Sequence, residues 1–136
     1  MEPVRTVLVV DVANVMGSRP DGWWRDRAGA ATRLLASLAA LPGTVVHAPD
    51  GDRWRLLRIV AVLEGRARTA TAPEGAAGLD VVLAPADGDT AIAALATEHG
   101  GEAPAVAVVT ADRGLRERLP ADAVRVGPRW LLDLLP

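Results

Sequence analysis

Residues 5–12, RTVLVVDV, form an almost unbroken run of β-branched and apolar side chains that ends beside an acid, Asp11. No polar side chain alternates through the centre of the run, so it predicts a strand buried on both faces, as in a parallel sheet. Parallel strands need crossover connections, which are usually helices. The run therefore predicts an α/β fold in which strands and helices alternate along the chain.

The remainder of the sequence fits this alternation. After the first strand we expect strands at 44–48, 54–63, 79–85, 103–110 and 123–127. Helical spacing predicts helices over 22–41, with Asp21 or Gly22 as the cap, over 89–100 and over 113–119, and RWLLDLL as a terminal helix or turn. NVMGSRPDG is interpreted as a loop, and 65–78 as a loop or a poorly formed helix. The PDGD turn predicts a small hairpin insertion near 44–56, within one domain spanning 1–136.

Composition limits the chemistry. The chain has no Cys, which excludes disulfides, thiolate metal sites and a cysteine nucleophile, and its two His residues disfavour a His-rich zinc site. Carboxylates are then the main chemical resource, and they prefer hard cations such as Mg²⁺ and Mn²⁺. The apolar run at the N-terminus is too short for a signal peptide or a membrane span, so we expect a cytoplasmic protein that does not bind membranes.

Acids follow each predicted core strand. In open parallel sheets, ligands bind beyond the carboxyl ends of the strands. The polar residues at those ends are Asp11 and Asn14, Glu64, Asp87 and Asp89 with Thr90, and Thr110 with Asp112. Carboxylates gathered at one edge repel each other unless a cation lies among them. The pattern therefore predicts a site for a divalent metal with Asp11, Glu64, Asp89 and Asp112 around it.

Each of these residues also has a purely structural interpretation. Asp89 and Asp112 precede or open helices and can act as N-caps. Asn14 can shape a turn, and Glu64 can be solvated at a strand end. We assign Asp87 to a turn with Gly88, and the two histidines, His47 and His99, to structural or exposed positions.

Four segments in this order, VVDVANVMGS, VLEGRAR, DGDTAIAALA and VVTADRGLRER, resemble the PIN-like nucleases and, within them, the NYN-type branch. The resemblance covers roughly residues 5–127. It implies a doubly wound, three-layer α/β/α sandwich with a mostly parallel sheet of about five strands. It also implies a cluster of acids that binds Mg²⁺ or Mn²⁺ and cuts RNA.

The resemblance assigns roles to individual residues. Asp11, Asp89 and Asp112 would ligate the metal, and Glu64 would complete the site directly or through water. Asn14 would orient ligands, and the substrate-binding residues would be Thr110, Thr90, Arg113 and Arg66. Relatives often have a second acid directly after the Asp89 position, where this chain has Thr90. This departure puts a second metal and the activity of the site in question.

The expected substrate is single-stranded or structured RNA. Five Arg and only two acids lie in residues 51–70, and Arg forks suit phosphate. Trp23, Trp24 or Trp54 are candidates for stacking on an unpaired base. The alternative for the tryptophans is a structural one, with Trp24 and Trp130 packed in the core.

Other functions stay open at this point. Thr90 is compatible with an inactive domain that binds RNA or regulates a partner. Another phosphate-ester or nucleotide hydrolase is a further alternative, and a toxin with a protein partner, or a homodimer, is compatible with the chain. A phosphatase of the haloacid-dehalogenase type is disfavoured because Ala13 stands where its second Asp is needed. A dinucleotide-binding domain is disfavoured because no glycine-rich turn follows the first strand.

Overall fold

The structure is a computed structural model in which residues 2–135 are described. The strands are β1 (Val4–Asp11), β2 (Val45–His47), β3 (Arg53–Leu63), β4 (Leu79–Leu83), β5 (Ala105–Val109) and β6 (Val124–Val126). The helices are α1 (Val12–Gly17), α2 (Arg27–Leu38), α3 (Gly88–His99), α4 (Arg113–Arg118) and α5 (Pro128–Leu134), with 3₁₀ turns at Trp23–Arg25 and Gly65–Thr69. Within this part of the chain, every helix is too short or too polar to cross a bilayer.

The six strands form one sheet in which β1 lies between β3 and β5, and β6 follows β5. These pairings are parallel, and β4 also runs parallel to the second half of β3. The first residues of β3 pair instead with β2, in the antiparallel hairpin that the sequence predicts near 44–56. The mostly parallel sheet is confirmed, and its carboxyl ends lie at one edge.

Alternate side chains of β1 enter two separate cores. Leu8 and Val10 pack with residues of α1, α2 and α5 on one face, whereas Val7 and Val9 pack with residues of α3 and α4 on the other. All four side chains are almost fully buried. Burial on both faces explains the unbroken apolar run, and it confirms a three-layer α/β/α arrangement.

The segment between β1 and α2 differs from its prediction. Residues predicted as a loop form α1, which buries Val12, Val15 and Met16, an apolar spacing of three and four that indicates a helix. The helix predicted over 22–41 is shorter. A 3₁₀ turn precedes α2, and the cap is Asp26, whose carboxylate accepts a hydrogen bond from the Gly29 amide at 2.9 Å, instead of Asp21 or Gly22.

Candidate functional site

Asp11 is the last residue of β1 and the N-cap of α1, so the strand passes directly into the helix at this position. Its Oδ1 accepts a hydrogen bond from the Asn14 amide at 3.3 Å, and its Oδ2 accepts one from the Thr110 hydroxyl at 3.0 Å. The residue is only 6 % exposed. The carboxylate is therefore held in a fixed orientation at the buried centre of the sheet edge.

Thr110 connects the Asp11 carboxylate to the next strand end. It follows β5, is fully buried, and its hydroxyl oxygen also accepts a hydrogen bond from the Asp112 amide at 3.1 Å. Asp112 caps α4, and its Oδ1 accepts hydrogen bonds from the amides of Gly114 and Leu115. Thr110 thus sets the position of both flanking acids, and its hydroxyl is already used within the protein.

Asn14 links the same two strand ends through its side chain. Its Oδ1 accepts a hydrogen bond of 2.8 Å from the amide of Ala111, which lies between Thr110 and Asp112. This contact joins α1 to the loop after β5. The side chain thus orients the backbone of the loop, and its role in orienting ligands stays a prediction.

Glu64 reaches the site from β3. Gly65 has a φ of 57°, a left-handed conformation that favours glycine, and the chain turns there into the Gly65–Thr69 turn. The Glu64 carboxylate accepts a hydrogen bond of 2.7 Å from the Gly88 amide at the start of α3. A Cβ on Gly88 would lie 3.0 Å from Oε2 of Glu64, so glycine at this position allows the close approach.

Asp89 lies in the first turn of α3, but it is Asp87 that caps this helix. The Asp87 carboxylate accepts hydrogen bonds from the amide and the hydroxyl of Thr90. Thr90 in turn accepts a hydrogen bond from Arg118 at 3.0 Å. Asp87 therefore has the structural role that was assigned to it, and the Thr90 hydroxyl is engaged with protein partners.

The pKa values of two acids show that the carboxylates affect each other. Burial raises the pKa of Asp11 to about 6; the hydrogen bonds from Thr110 and Asn14 oppose this, and the charges of Glu64 and Asp89 add to it. Burial also raises the pKa of Asp89, and the neighbouring Asp112 carboxyl group adds to this, followed by the charges of Asp87 and Glu64. The structure thus brings Asp11, Glu64, Asp89 and Asp112 into one electrostatic cluster.

This acidic cluster consists of oxygen donors, which suits a hard divalent cation. In residues 2–135, however, no group of three or more acids or histidines is arranged to enclose a metal ion. Mg²⁺ commonly keeps several waters and is bound through one or two carboxylates plus substrate phosphates, and such a site needs no closed cage. The donor set fits Mg²⁺ or Mn²⁺ in this open form.

The two histidines lie apart from the acidic cluster. His47 is in β2, and His99 is at the end of α3, where its side chain contacts Glu102.

The structure decides between the alternatives given for the tryptophans, and Trp130 packs against the core as expected. Trp54 is 5 % exposed and packs edge-on against Trp130, so it is not available for stacking on a base. Trp24, which was expected in the core, is 56 % exposed. The error arose because the predicted helix 22–41 placed Trp24 on its apolar face, whereas the residue lies in the 3₁₀ turn before α2.

The two predicted arginines follow two different acids of the cluster along the chain. Arg113 opens α4 directly after Asp112. Arg66 lies in the Gly65–Thr69 turn and lines a cavity of about 350 Å³ with Trp24 and Arg25. Sequence reasoning missed Gly88 as the partner of Glu64, because the contact joins residues 24 positions apart and depends on how α3 lies against β3.

Comparison with family models and with curated proteins finds no match for this chain. Among solved structures, a point mutant of Rae1 (YacP) from Bacillus subtilis superposes with a TM-score of 0.70 at 20 % sequence identity, over 95 % of this chain and 74 % of that chain. A second structure of Rae1 gives a TM-score of 0.68 at 18 % identity, over 94 % of this chain and 72 % of that chain. These likenesses identify the fold as the PIN-like α/β fold.

Proposed function

We propose that this protein is an NYN-type, metal-dependent ribonuclease that hydrolyses RNA phosphodiester bonds at the acidic cluster. The observation that carries the proposal is the convergence of acids from four separate segments on one sheet edge, where the pKa values of Asp11 and Asp89 are raised. In the part of the chain that the structure describes, Arg58, Arg118 and Arg129 form ion pairs with acids outside the cluster. A divalent cation would relieve the repulsion among the clustered carboxylates.

Asp11, Asp89, Asp112 and Glu64 would hold this ion in the open form, one or two of them directly and the others through its bound waters. When bound, Mg²⁺ or Mn²⁺ polarises a phosphate oxygen and lowers the pKa of a bound water. Support also comes from the segments that resemble PIN-like nucleases and from the PIN-like fold shared with Rae1. In the hydrolysis itself, water forms the new bond to phosphorus, the bond to one ribose oxygen breaks, and that oxygen takes up a proton.

The protein's own contribution is to keep the acids in place and to bind the RNA backbone. The contacts of Thr110 and Asn14 fix Asp11 and the loop that carries Asp112. Arg113, directly after Asp112, and Arg66, two residues after Glu64, would bind phosphates of the substrate strand. The Thr90 hydroxyl bonds to Asp87 and Arg118, and its role in binding the substrate stays a prediction.

The test is cleavage of a labelled single-stranded RNA in Mg²⁺ or Mn²⁺ by the native chain, Asp11→Asn and Asp133→Asn. Asp133 undergoes the same chemical change on α5, where its side chain is 71 % exposed. We expect metal-dependent cleavage by the native chain and by Asp133→Asn, and a loss of at least about a hundredfold in Asp11→Asn. Equal cleavage by Asp11→Asn, or cleavage by the native chain in chelator, would contradict the proposal.

The second candidate is a domain that binds RNA without cutting it. The specific observation in its favour is Thr90, which replaces an acid found in similar nucleases and is held by Arg118. If this candidate is correct, the native chain binds single-stranded RNA and leaves it intact in millimolar Mn²⁺. The same cleavage experiment therefore separates the two candidates.

A further inference from the structure

Trp24 presents an aromatic ring to solvent in the 3₁₀ turn before α2. It is the most exposed of the large hydrophobic side chains in residues 2–135. Trp23 meets it edge-on, with the ring centroids 6.0 Å apart and the planes at 88°. The Arg25 guanidinium lies 5.9 Å from the centre of the Trp24 ring. An exposed indole with a cation at its ring resembles the platforms on which unpaired bases stack.

Two neighbouring cavities extend from this ring to the acids. The first, of about 350 Å³, is lined by Trp24, Arg25, Asp26, Arg27, Ala28, Arg66 and Thr69. The second, of about 370 Å³, includes Trp23, Arg27, Glu64 and Ala86 in its lining. Arg27 belongs to both, and Glu64 belongs to the acidic cluster. We call these two cavities together the Trp–Arg cleft.

The charges of the Trp–Arg cleft suit a polyanion. Three arginines, Arg25, Arg27 and Arg66, line the first cavity with one acid, Asp26. The Asp26 carboxylate caps α2 by accepting a hydrogen bond from the Gly29 amide, so this carboxylate is directed to the end of the helix. The Arg27 guanidinium lies 5.5 Å from the Trp23 ring, so each ring of the Trp23–Trp24 pair has a cation beside it. A single strand offers partners for both kinds of group, bases for the exposed ring and phosphates for the guanidinium groups.

We propose that the Trp–Arg cleft binds an unpaired segment of RNA, with one base stacked on Trp24 and the backbone phosphates on Arg25 and Arg66. The strand then passes Trp23 and Arg27 and reaches the acids at Glu64. The bases of a duplex are already stacked on both sides, so the cleft selects single-stranded RNA. This inference rests on the proposed function for the direction of the strand toward the acids, but binding in the cleft requires no metal and no cleavage.

Binding is therefore measured in chelator, by fluorescence anisotropy of a labelled short oligoadenylate. We expect Trp24→Leu to weaken binding about tenfold, and Trp24→Phe, which keeps an aromatic face, to retain most of the affinity. Arg66→Gln should reduce the slope of log affinity against log salt by about 0.7, the value for one phosphate contact on a single strand. Matched controls on other surfaces are Val124→Ala, for exposed apolar area, and Arg129→Gln, for charge.

Equal affinity of the native chain and Trp24→Leu would overturn the proposal, and so would equal affinity for an RNA duplex of the same length. An unchanged salt slope in Arg66→Gln would remove the assigned phosphate contact and overturn the path of the strand. If binding depends on Trp24 while Mn²⁺ produces no cleavage, the cleft is supported and the proposed hydrolysis fails. If RNA is cleaved and Trp24→Leu changes neither binding nor KM, the hydrolysis is supported and the cleft fails.

Discussion

The hydroxyl of Thr110 donates a hydrogen bond of 3.0 Å to Oδ2 of Asp11, a residue 99 positions earlier in the chain. The two residues stand at the ends of adjacent parallel strands, and both are buried. The same hydroxyl oxygen accepts the Asp112 amide, so one side chain couples two of the acids. The hydrogen bond favours the ionised form of a carboxyl group whose pKa burial raises.

Replacement of Thr110 by Val keeps the shape of the side chain and removes both hydrogen bonds. We expect the pKa of Asp11 to rise above its value of about 6, because the hydrogen bond that lowers it is lost. The fold should lose on the order of 1–2 kcal/mol, since a buried carboxyl oxygen and an amide are left without a partner. Carboxyl chemical shifts against pH and urea unfolding measure the two effects. Thr110→Ser should restore both values, and a Val variant equal to the native chain in both would rule out this role.

Ionisation of Asp11 should destabilise the fold in metal-free buffer. Its pKa is about 6 in the folded chain and 3.8 in the reference state. Below pH 4 both states are protonated and there is no penalty, whereas between pH 4 and 6 the unfolded state ionises first, and stability falls as pH rises. Asp11→Asn cannot ionise, so its stability relative to the native chain should rise by on the order of 2–3 kcal/mol between pH 4 and pH values above 6, in addition to the constant cost of its one lost acceptor oxygen. Thermal unfolding from pH 3.5 to 8 measures this difference.

A divalent metal should reverse that difference. Mn²⁺ that binds only the folded acids stabilises the native chain by an amount that grows with the logarithm of its concentration above the Kd, and it should leave Asp11→Asn unchanged. Asp133→Asn is the control, because it alters an exposed acid on α5 and should respond to Mn²⁺ as the native chain does. For the pH experiment in chelator, parallel profiles of unfolding temperature against pH for the native chain and Asp11→Asn would show that Asp11 does not titrate as described.

The contact between Glu64 and Gly88 can be tested with a double-mutant cycle. A Cβ on residue 88 would lie 3.0 Å from Oε2 of Glu64, so Gly88→Ala must displace the carboxylate and weaken the 2.7 Å hydrogen bond. We expect Gly88→Ala to lower the free energy of unfolding by at least about 0.5 kcal/mol more in the native chain than in the Glu64→Ala variant. Gly101→Ala is the matched control, since the nearest atom to its Cβ would be 3.9 Å away. Additive effects would indicate that the contact carries no coupling.

Separate substitutions of Asp87 and Asp89, which lie two residues apart, should distinguish a structural role from a metal-binding role. Asp87→Ser keeps an N-cap for α3 and removes a charge, so it should leave Mn²⁺ affinity within about twofold of native. Asp89→Asn removes a member of the acidic cluster and should weaken Mn²⁺ binding about tenfold or more. Isothermal titration with Mn²⁺ measures both. A larger loss of Mn²⁺ affinity in Asp87→Ser than in Asp89→Asn would mean that Asp87 binds the metal and Asp89 has the structural role.

Several elements could be predicted because their causes are local. The buried run of β1, the helical spacing of α3 and the PDGD turn each depend on residues within one segment, and all three appear in the structure. The boundaries near Trp24 could not be predicted in this way. A cap at Asp26 and a preceding 3₁₀ turn compete with a longer helix, and packing against the rest of the fold decides between them.

The sequence by itself determined that acids follow each core strand and that the strands are parallel, so that the acids lie at one edge of the sheet. This was possible because the local pattern of apolar residues indicates which strands are buried on both faces. Only the tertiary structure decided which side chains meet there. Three features depend on how segments that are far apart in the chain approach each other in space. They are the hydrogen bond from Thr110 to Asp11, the hydrogen bond from the Gly88 amide to Glu64, and the exposure of Trp24. Local periodicity contains no information about that distance, since it is set by how helices and strands pack across the sheet.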